Sequence, residues 1–184
     1  MAVGDYDGDG KADPSIYEEV SGTWQIAMSG NGYQVDVVPG FGSPEYKAVP
    51  TDYDGDRKTD PAVQAEDSGN WLLMLSGNNY QSTNIQFGMS GYVPVPGEYD
   101  GLGYAQLAVY NAVSGNWYIR TGSGPGEYTV VDFGQSDYLP IPADYDGDRY
   151  DDTSVFYRNK HDGIWYLLRS TEGFKMISGR MNRP

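Results

Sequence analysis

Five residues, Asp5-Tyr6-Asp7-Gly8-Asp9, return along this chain at a nearly fixed step. They recur as Asp52-Tyr53-Asp54-Gly55-Asp56 and Asp144-Tyr145-Asp146-Gly147-Asp148, with a weaker copy at Glu98-Tyr99-Asp100-Gly101-Leu102. The steps are 47, 46 and 46 residues, counted between positions 5, 52, 98 and 144. Other residues keep the same rhythm. Trp24, Trp71, Trp117 and Trp165 each stand two places after a glycine: Gly22, Gly69, Gly115 and Gly163. Phe-Gly recurs at Phe41-Gly42, Phe87-Gly88 and Phe133-Gly134, with Met181-Asn182 at the fourth place. Tyr46, Tyr92 and Tyr138 open linking segments that continue to Val49-Pro50, Val95-Pro96 and Ile141-Pro142. Ala2-Val3-Gly4 reads as the tail of such a segment. A repeat of roughly 20–50 residues is a unit that buries its apolar face only against its neighbours, so it dictates a solenoid, a propeller or an array.

Within a unit the pattern is β. Apolar residues alternate in short runs such as Trp24-Gln25-Ile26-Ala27-Met28 and Trp117-Tyr118-Ile119. Turn formers interrupt them at Ser29-Gly30-Asn31-Gly32, Ser76-Gly77-Asn78-Asn79 and Ser123-Gly124-Pro125-Gly126. Gly 25 and Pro 11 together make about a fifth of the chain, which suits short elements joined by many turns. Strand one should lead from the linking tyrosine to the aspartate loop, as from Tyr92 to Gly97. Strand two follows the loop at Pro14 to Tyr17, Pro61 to Gln64, Leu107 to Tyr110 and Thr153 to Tyr157. Strand three carries the tryptophan, and strand four runs over Gln34 to Val38, Asn84 to Gln86, Thr129 to Asp132 and Phe174 to Ile177. Four strands at this period describe a propeller blade. The expectation is an all-β propeller of four four-stranded blades, approximately 1–44, 45–90, 91–136 and 137–184, in one repeat domain. The recurring Trp and Phe are the expected filler between blades. Closure is expected as a four-bladed monomer, with blade one on blade four. A homodimeric ring of eight blades and a fragment of a larger array are the alternatives.

Acidic residues outnumber basic ones 26 to 12, for a formal charge of -14 and a pI near 4.2. Such a chain repels a phosphate backbone and an anionic membrane surface and attracts cations. Cysteine is absent, which excludes disulfides, a thiol nucleophile and thiolate-bound metals. No apolar run reaches the roughly 18 residues of a membrane span. Met1-Ala2-Val3-Gly4-Asp5 has no basic or apolar leader character, so any signal peptide of an exported protein is expected outside this sequence.

The repeated loop carries the chemistry. Carboxylates stand at loop positions one, three, five and nine: Asp5, Asp7, Asp9 and Asp13; Asp52, Asp54, Asp56 and Asp60; Asp144, Asp146, Asp148 and Asp152. Calcium takes about six to eight hard oxygen ligands in flexible geometry. Alternating carboxylates on a tight turn, a carbonyl at position seven and water supply such a shell. Magnesium fits less well, because it demands near-ideal octahedral geometry. A helix–loop–helix calcium loop would need Glu at position twelve. Ile16, Val63 and Val155 stand there instead, so the loop joins two strands. Ordinary Asp-Gly turn formation explains a single copy but not three with all four acids kept. The third copy has Leu102 and Gln106 in place of two acids and is expected to be a metal-free turn.

These motifs together resemble the FG-GAP/VCBS repeats, which are related to the blades of integrin α-subunit propellers. The matching parts are Asp-x-Asp-x-Asp-Gly-x-x-Asp, the Gly-x-Trp strand and Phe-Gly, and they span nearly all of the chain. The resemblance implies a propeller with Ca²⁺ in the loop between strands one and two. Carried over by position, it implies ligands at Asp5, Asp7, Asp9, the Lys11 carbonyl and Asp13, and at Asp52, Asp54, Asp56, the Lys58 carbonyl and Asp60. The last set is Asp144, Asp146, Asp148, the Tyr150 carbonyl and Asp152. Two departures stand out. Position six, usually Gly, is Arg57 and Arg149 in two copies, and family propellers commonly have seven blades. If position six needs positive φ, each arginine is strained by roughly 1 kcal/mol or more.

Catalysis has little support. The only histidine, His161, sits in a turn, and there is no Gly-x-Ser-x-Gly elbow or glycine-rich phosphate loop. The clustered carboxylates all belong to the aspartate loops. Seventeen tyrosines and four tryptophans exceed what four small blades need for packing. Tyr33, Tyr80, Tyr104 and Tyr128 lie off the repeat near turns and are expected to be exposed. The function expected is a calcium-binding, non-catalytic binding or adhesion module, secreted or at the cell surface, with a protein or glycan ligand. A lectin-like sugar binder is the alternative, followed by a structural or designed repeat without a ligand.

Overall fold

The structure, a computed structural model, describes residues 2–122, 124, 126–158, 162–171 and 175–182. His161, Phe174, the turn residues Ser123 and Pro125 and the tail residues Arg183 and Pro184 lie outside the described residues. The fold is an all-β propeller architecture of four four-stranded antiparallel blades, each with its strands in chain order. Blade one is β1 Ala2–Gly4, β2 Asp13–Glu18, β3 Thr23–Met28 and β4 Gln34–Val38. Blade two is β5 Tyr46–Ala48, β6 Ala62–Ala65, β7 Asn70–Leu75 and β8 Gln81–Gln86. Blade three is β9 Tyr92–Pro94, β10 Ala108–Asn111, β11 Asn116–Arg120 and β12 Tyr128–Asp132. Blade four is β13 Tyr138–Pro140, β14 Thr153–Arg158, β15 Asp162–Arg169 and β16 Lys175–Asn182. The chain forms two compact units, Met1–Ser90 with blades one and two, and Gly91–Pro184 with blades three and four.

Strand one is shorter than the run from tyrosine to loop suggests. β9 stops at Pro94, the Val95 N–H adds one more bond to the Ala108 carbonyl at 2.8 Å, and beyond Pro96 pairing returns as the isolated bridge Gly97↔Gln106. The proline that follows each Val or Ile has no N–H to donate to a ladder, so the strand is interrupted there. The Ser-Gly-Asn turns close as single 3₁₀ turns, Ser29–Asn31 and Ser76–Asn78.

One backbone hydrogen bond explains why Gly-x-Trp and Phe-Gly travel together. The Gly22, Gly69 and Gly115 carbonyls accept from the N–H groups of Phe41, Phe87 and Phe133 at 2.7, 2.9 and 3.2 Å. The indole Nε1 of Trp71 and of Trp117 donates to the Phe87 and Phe133 carbonyls, both at 2.8 Å. The two motifs are opposite ends of the same hydrogen-bonded corner.

Packing between blades follows one rule in both units. In the first unit Tyr17, Trp24 and Ile26 of blade one, with Phe41, pack against Val63 of blade two, flanked by Tyr46 and Leu72. In the second unit Tyr110, Trp117 and Ile119 of blade three pack against Val155 of blade four, flanked by Tyr138 and Tyr166. Ladder pairing puts Tyr17 with Trp24 and Tyr110 with Trp117 on one face of their blades. It puts Val63 with Leu72 and Val155 with Tyr166 on the opposite face of theirs. The tryptophan face of one blade thus covers the valine face of the next. The tilted Tyr17–Trp24 and Tyr110–Trp117 pairs, with ring centroids 5.1 and 5.2 Å apart, are of the kind worth about 0.5–1.5 kcal/mol beyond area burial.

Candidate metal centres

Each aspartate loop joins the first two strands of its blade, and its first carboxylate curls it. Asp5 Oδ1 accepts from the Gly8 N–H at 2.7 Å and its Oδ2 from the Gly10 N–H at 2.8 Å. Asp52 does the same with Gly55 and Arg57 at 2.6 and 2.8 Å, and Asp144 with Gly147 and Arg149 at 2.6 and 2.9 Å. This curl requires position six in the left-handed region. Gly10 and Gly103 have φ of 85° and 81°, and Arg57 and Arg149 are held at 70° and 75°. The two arginines are therefore in the conformation that L side chains disfavour.

Position nine closes the loop from below. Asp13, Asp60 and Asp152 are fully buried, and each carboxylate spans two segments of its blade. One oxygen accepts from the N–H of the loop tyrosine: Tyr6 at 2.7 Å, Tyr53 at 2.8 Å and Tyr145 at 3.1 Å. The other accepts from the N–H of the residue that follows strand three: Ser29 at 2.7 Å, Ser76 at 2.7 Å and Ser170 at 2.8 Å. Burial pushes the Asp60 carboxyl up to about 6, against the lowering effect of the Ser76 and Tyr53 amides, and the charge of Asp54 adds to the rise. Without a cation, that carboxylate is costly to ionise.

The turn after strand three completes the site and is the part that motif reading missed. The Gly30 N–H donates to Asp7 Oδ2 at 2.8 Å, and the Gly77 N–H to Asp54 Oδ2 at 2.9 Å. In blade four the Thr171 hydroxyl reaches Asp146, and this contact holds the Asp146 carboxyl below the usual range. Ser76 and Ser170 donate their hydroxyls to Asp56 and Asp148, both at 2.7 Å. The available signal was Ser-Gly-Asn recurring at Ser29 and Ser76 in step with the aspartates.

In three of the loops, three carboxylates offer oxygens that all lie within 4.8 Å of one another. The sets are Asp5, Asp7 and Asp13; Asp52, Asp54 and Asp60; and Asp144, Asp146 and Asp148. Asp9, Asp56 and Asp152 stand outside these sets. Asp9 turns to the Lys11 ammonium at 2.8 Å, which holds its carboxyl below the usual range. At position seven, Lys11, Lys58 and Tyr150 donate their N–H groups to Asp9, Asp56 and Asp148 at 2.9, 2.8 and 2.8 Å.

The third loop keeps this backbone without the acids. Glu98 accepts from Gly101 at 2.5 Å, and Gln106 Oε1 accepts from the Tyr99 N–H at 2.6 Å, as Asp13 does from Tyr6. Leu102 points to solvent. The loop conformation therefore does not depend on the carboxylates at positions five and nine.

Convergent hard oxygens on a flexible turn fit calcium. The bound N–H groups leave lone pairs on each carboxylate oxygen, so hydrogen bonding within the loop and metal ligation are compatible. Comparison of the chain with protein-family models, with curated proteins and with solved structures found no match.

Proposed function

We propose that the chain is a non-catalytic, calcium-binding β-propeller module of the FG-GAP/VCBS type that works as an extracellular binding or adhesion domain. The observation that supports this most is the contrast among the four loops. Three gather three carboxylates within 4.8 Å of one another, while the third loop, with the same backbone turn, does not. In this reading Asp5, Asp7 and Asp13, Asp52, Asp54 and Asp60, and Asp144, Asp146 and Asp148 hold one ion each. Asp9, Asp56 and Asp152 and the carbonyls of Lys11, Lys58 and Tyr150 complete the shells with water. The ion offsets carboxylate repulsion and ties the loop to the turn after strand three, so its contribution is to stability and presentation. Extracellular calcium modules bind at roughly 10⁻⁴–10⁻³ M, a range that cytosolic calcium does not satisfy. This places the module in the proposal as secreted or displayed at a cell surface.

Calorimetric titration of chelator-treated protein is the test. Three calcium ions per chain are expected, still three in Leu102→Ala, and weaker binding of magnesium. Failure to bind any calcium at millimolar concentration would refute the reading. A lectin-like function is the second reading, favoured by the exposure of Tyr33, Tyr80 and Tyr128, aromatic side chains of the kind that stack on sugars. A glycan array probed with calcium-loaded protein separates the two.

A further inference from the structure

Inside the first unit a cleft of about 330 Å³ lies between blade one and blade two. Ile26, Met28, Asp36 and Val38 line it from blade one, and Met74 and Tyr80 from blade two. None of the clustered carboxylates of the aspartate loops lines it. Its walls are mostly apolar. Ile26 is buried, and Met28, Val38 and Met74 are half-buried and pack against the same core.

Two of its side chains are not explained by what a blade needs. The first is Asp36, the ladder partner of Ile26. The same place in the other blades holds Thr83, Thr129 and Ile177, the partners of Leu73, Ile119 and Leu167. Only blade one sets a charge there. Among the described residues, no hydrogen bond or ion pair engages the Asp36 carboxylate. The second is Tyr80, held at φ 56°. A bulky side chain in the left-handed region is an outlier, and strain of this kind persists where it serves a site. Glycine or asparagine would make the same turn at less cost, so the turn does not call for a ring. Tyr6, whose hydroxyl is paired with Ser15 at 3.1 Å, adds a second ring to the lining.

These walls select their occupant. Whatever fills the cleft takes water from the Asp36 carboxylate, and a carboxylate deprived of water without a partner is costly. A neutral apolar molecule or an anion leaves it unpaired. A sugar would turn several hydroxyls towards Ile26, Val38 and the methionines, which offer no strong partner. An organic ammonium on an apolar body meets every wall. Its N–H groups donate to Asp36, and its charge is attracted to the tyrosine rings. Its body lies against Met28 and Met74, side chains that adapt to irregular shapes. The formal charge of -14 favours the approach of a cation. We propose that this cleft is a binding site for a small organic ammonium, with Asp36 as its counter-ion and Tyr80 as its aromatic wall.

The test uses the intact chain in saturating calcium, so that the aspartate loops do not compete for the cation. Hexylammonium is the probe, and hexanol and hexanoate carry the same chain with no charge and with the opposite one. Hexylammonium should bind saturably and more tightly than either. The methyl resonances of Met28 and Met74 should shift as it binds, while that of Met89, exposed and outside the cleft, should not. This readout locates the ammonium whether or not the loops hold calcium, so failure here is distinct from failure of the calcium reading. Asp36→Asn keeps the shape and removes the charge. It should weaken hexylammonium roughly tenfold or more, the worth of a charge-assisted hydrogen bond, and leave hexanol unchanged. Tyr80→Asn keeps a residue that accepts the left-handed backbone, removes the ring and should also weaken hexylammonium. Asp36 and Tyr80 are both exposed, so each variant should keep its β-sheet circular dichroism. Hexylammonium that binds no better than hexanol, that binds Asp36→Asn as well as the wild type, or that leaves Met28 and Met74 unshifted overturns the proposal. So does tighter binding of Nα-acetyl-lysine amide than of hexylammonium, which would put a lysine of a protein partner in the cleft instead.

Discussion

Replacing Arg57 with glycine should stabilise the protein, and replacing it with alanine should not. Arg57 sits at φ 70° with its side chain in solvent and its N–H bound to Asp52. Both substitutions remove the same charge and the same exposed side chain, so the difference between them isolates the backbone. A left-handed L residue costs roughly 1–2 kcal/mol. Glycine returns about 0.4–1 kcal/mol of that through the greater entropy of its unfolded chain. Arg57→Gly should therefore exceed Arg57→Ala by about 0.5–1 kcal/mol, or about 1–4 °C in Tm for a domain of this size. Denaturant melts of both variants in saturating calcium give the difference. The reverse exchange is Gly10→Ala, where a Cβ meets nothing within 4 Å. It should lose a similar amount, because only the φ of 85° opposes it. Arg57→Ala equal to or more stable than Arg57→Gly would refute the claim that position six is strained.

Chelation should lower Tm, and excess calcium should restore it better than magnesium; each site held at 100 times its Kd adds about 2.7 kcal/mol, so an unchanged melt of verified metal-free protein would count against bound calcium. Asp54→Ala should lower the calorimetric stoichiometry by one ion, while Leu102→Asp with Gln106→Asp should raise it by one. In metal-free protein the raised Asp60 pKa means that the folded state holds the proton between the usual carboxylate value and about 6. Stability should therefore fall as pH rises through about 6, and Asp60→Asn should flatten that slope, as read by urea melts across the range. Gly4→Ala should destabilise the first unit, because a Cβ there would collide with the Thr59 side chain, where the Thr59 N–H donates to the Asp5 carbonyl at 2.6 Å.

The blades were legible because each repeated residue does a job that any blade needs. Trp24 and Phe41 are buried filler, the alternation in β2 and β3 is a pleat, and the loop tyrosines anchor their turns. Tyr53, Tyr99 and Tyr145 donate to the carbonyls of Val49, Val95 and Ile141, four residues back. Tyr6 makes its contact with Ser15 instead, and Ser15 in turn donates to the Ala2 carbonyl. That exchange was not readable, because it depends on a serine in β2 facing the tyrosine across the ladder. Tyr104 was expected to be exposed with the other off-repeat tyrosines and is half-buried, whereas Tyr33, Tyr80 and Tyr128 are exposed. Ile16, Val63, Val109 and Val155 are the same kind of residue in the same frame of the repeat, yet Ile16 is exposed and the three valines are buried.

The aspartate motif was legible as a pattern but not in its division of labour. Equal spacing treats its four acids alike, and the structure separates them. Position one curls the loop, and position five holds the N–H two residues on. Position nine is fully buried and spans two segments of the blade. Gln106 shows how much of this a neutral side chain can do: its Oε1 takes the Tyr99 N–H, while its Nε2 donates to the Tyr104 carbonyl at 2.7 Å. An amide has one acceptor oxygen where a carboxylate has two. A glutamine thus serves the loop tyrosine but cannot also accept from the end of strand three as Asp13 accepts from Ser29. That tie brings Gly30 onto Asp7 and Gly77 onto Asp54, so the residue that braces the turn also gathers the oxygens proposed to hold calcium.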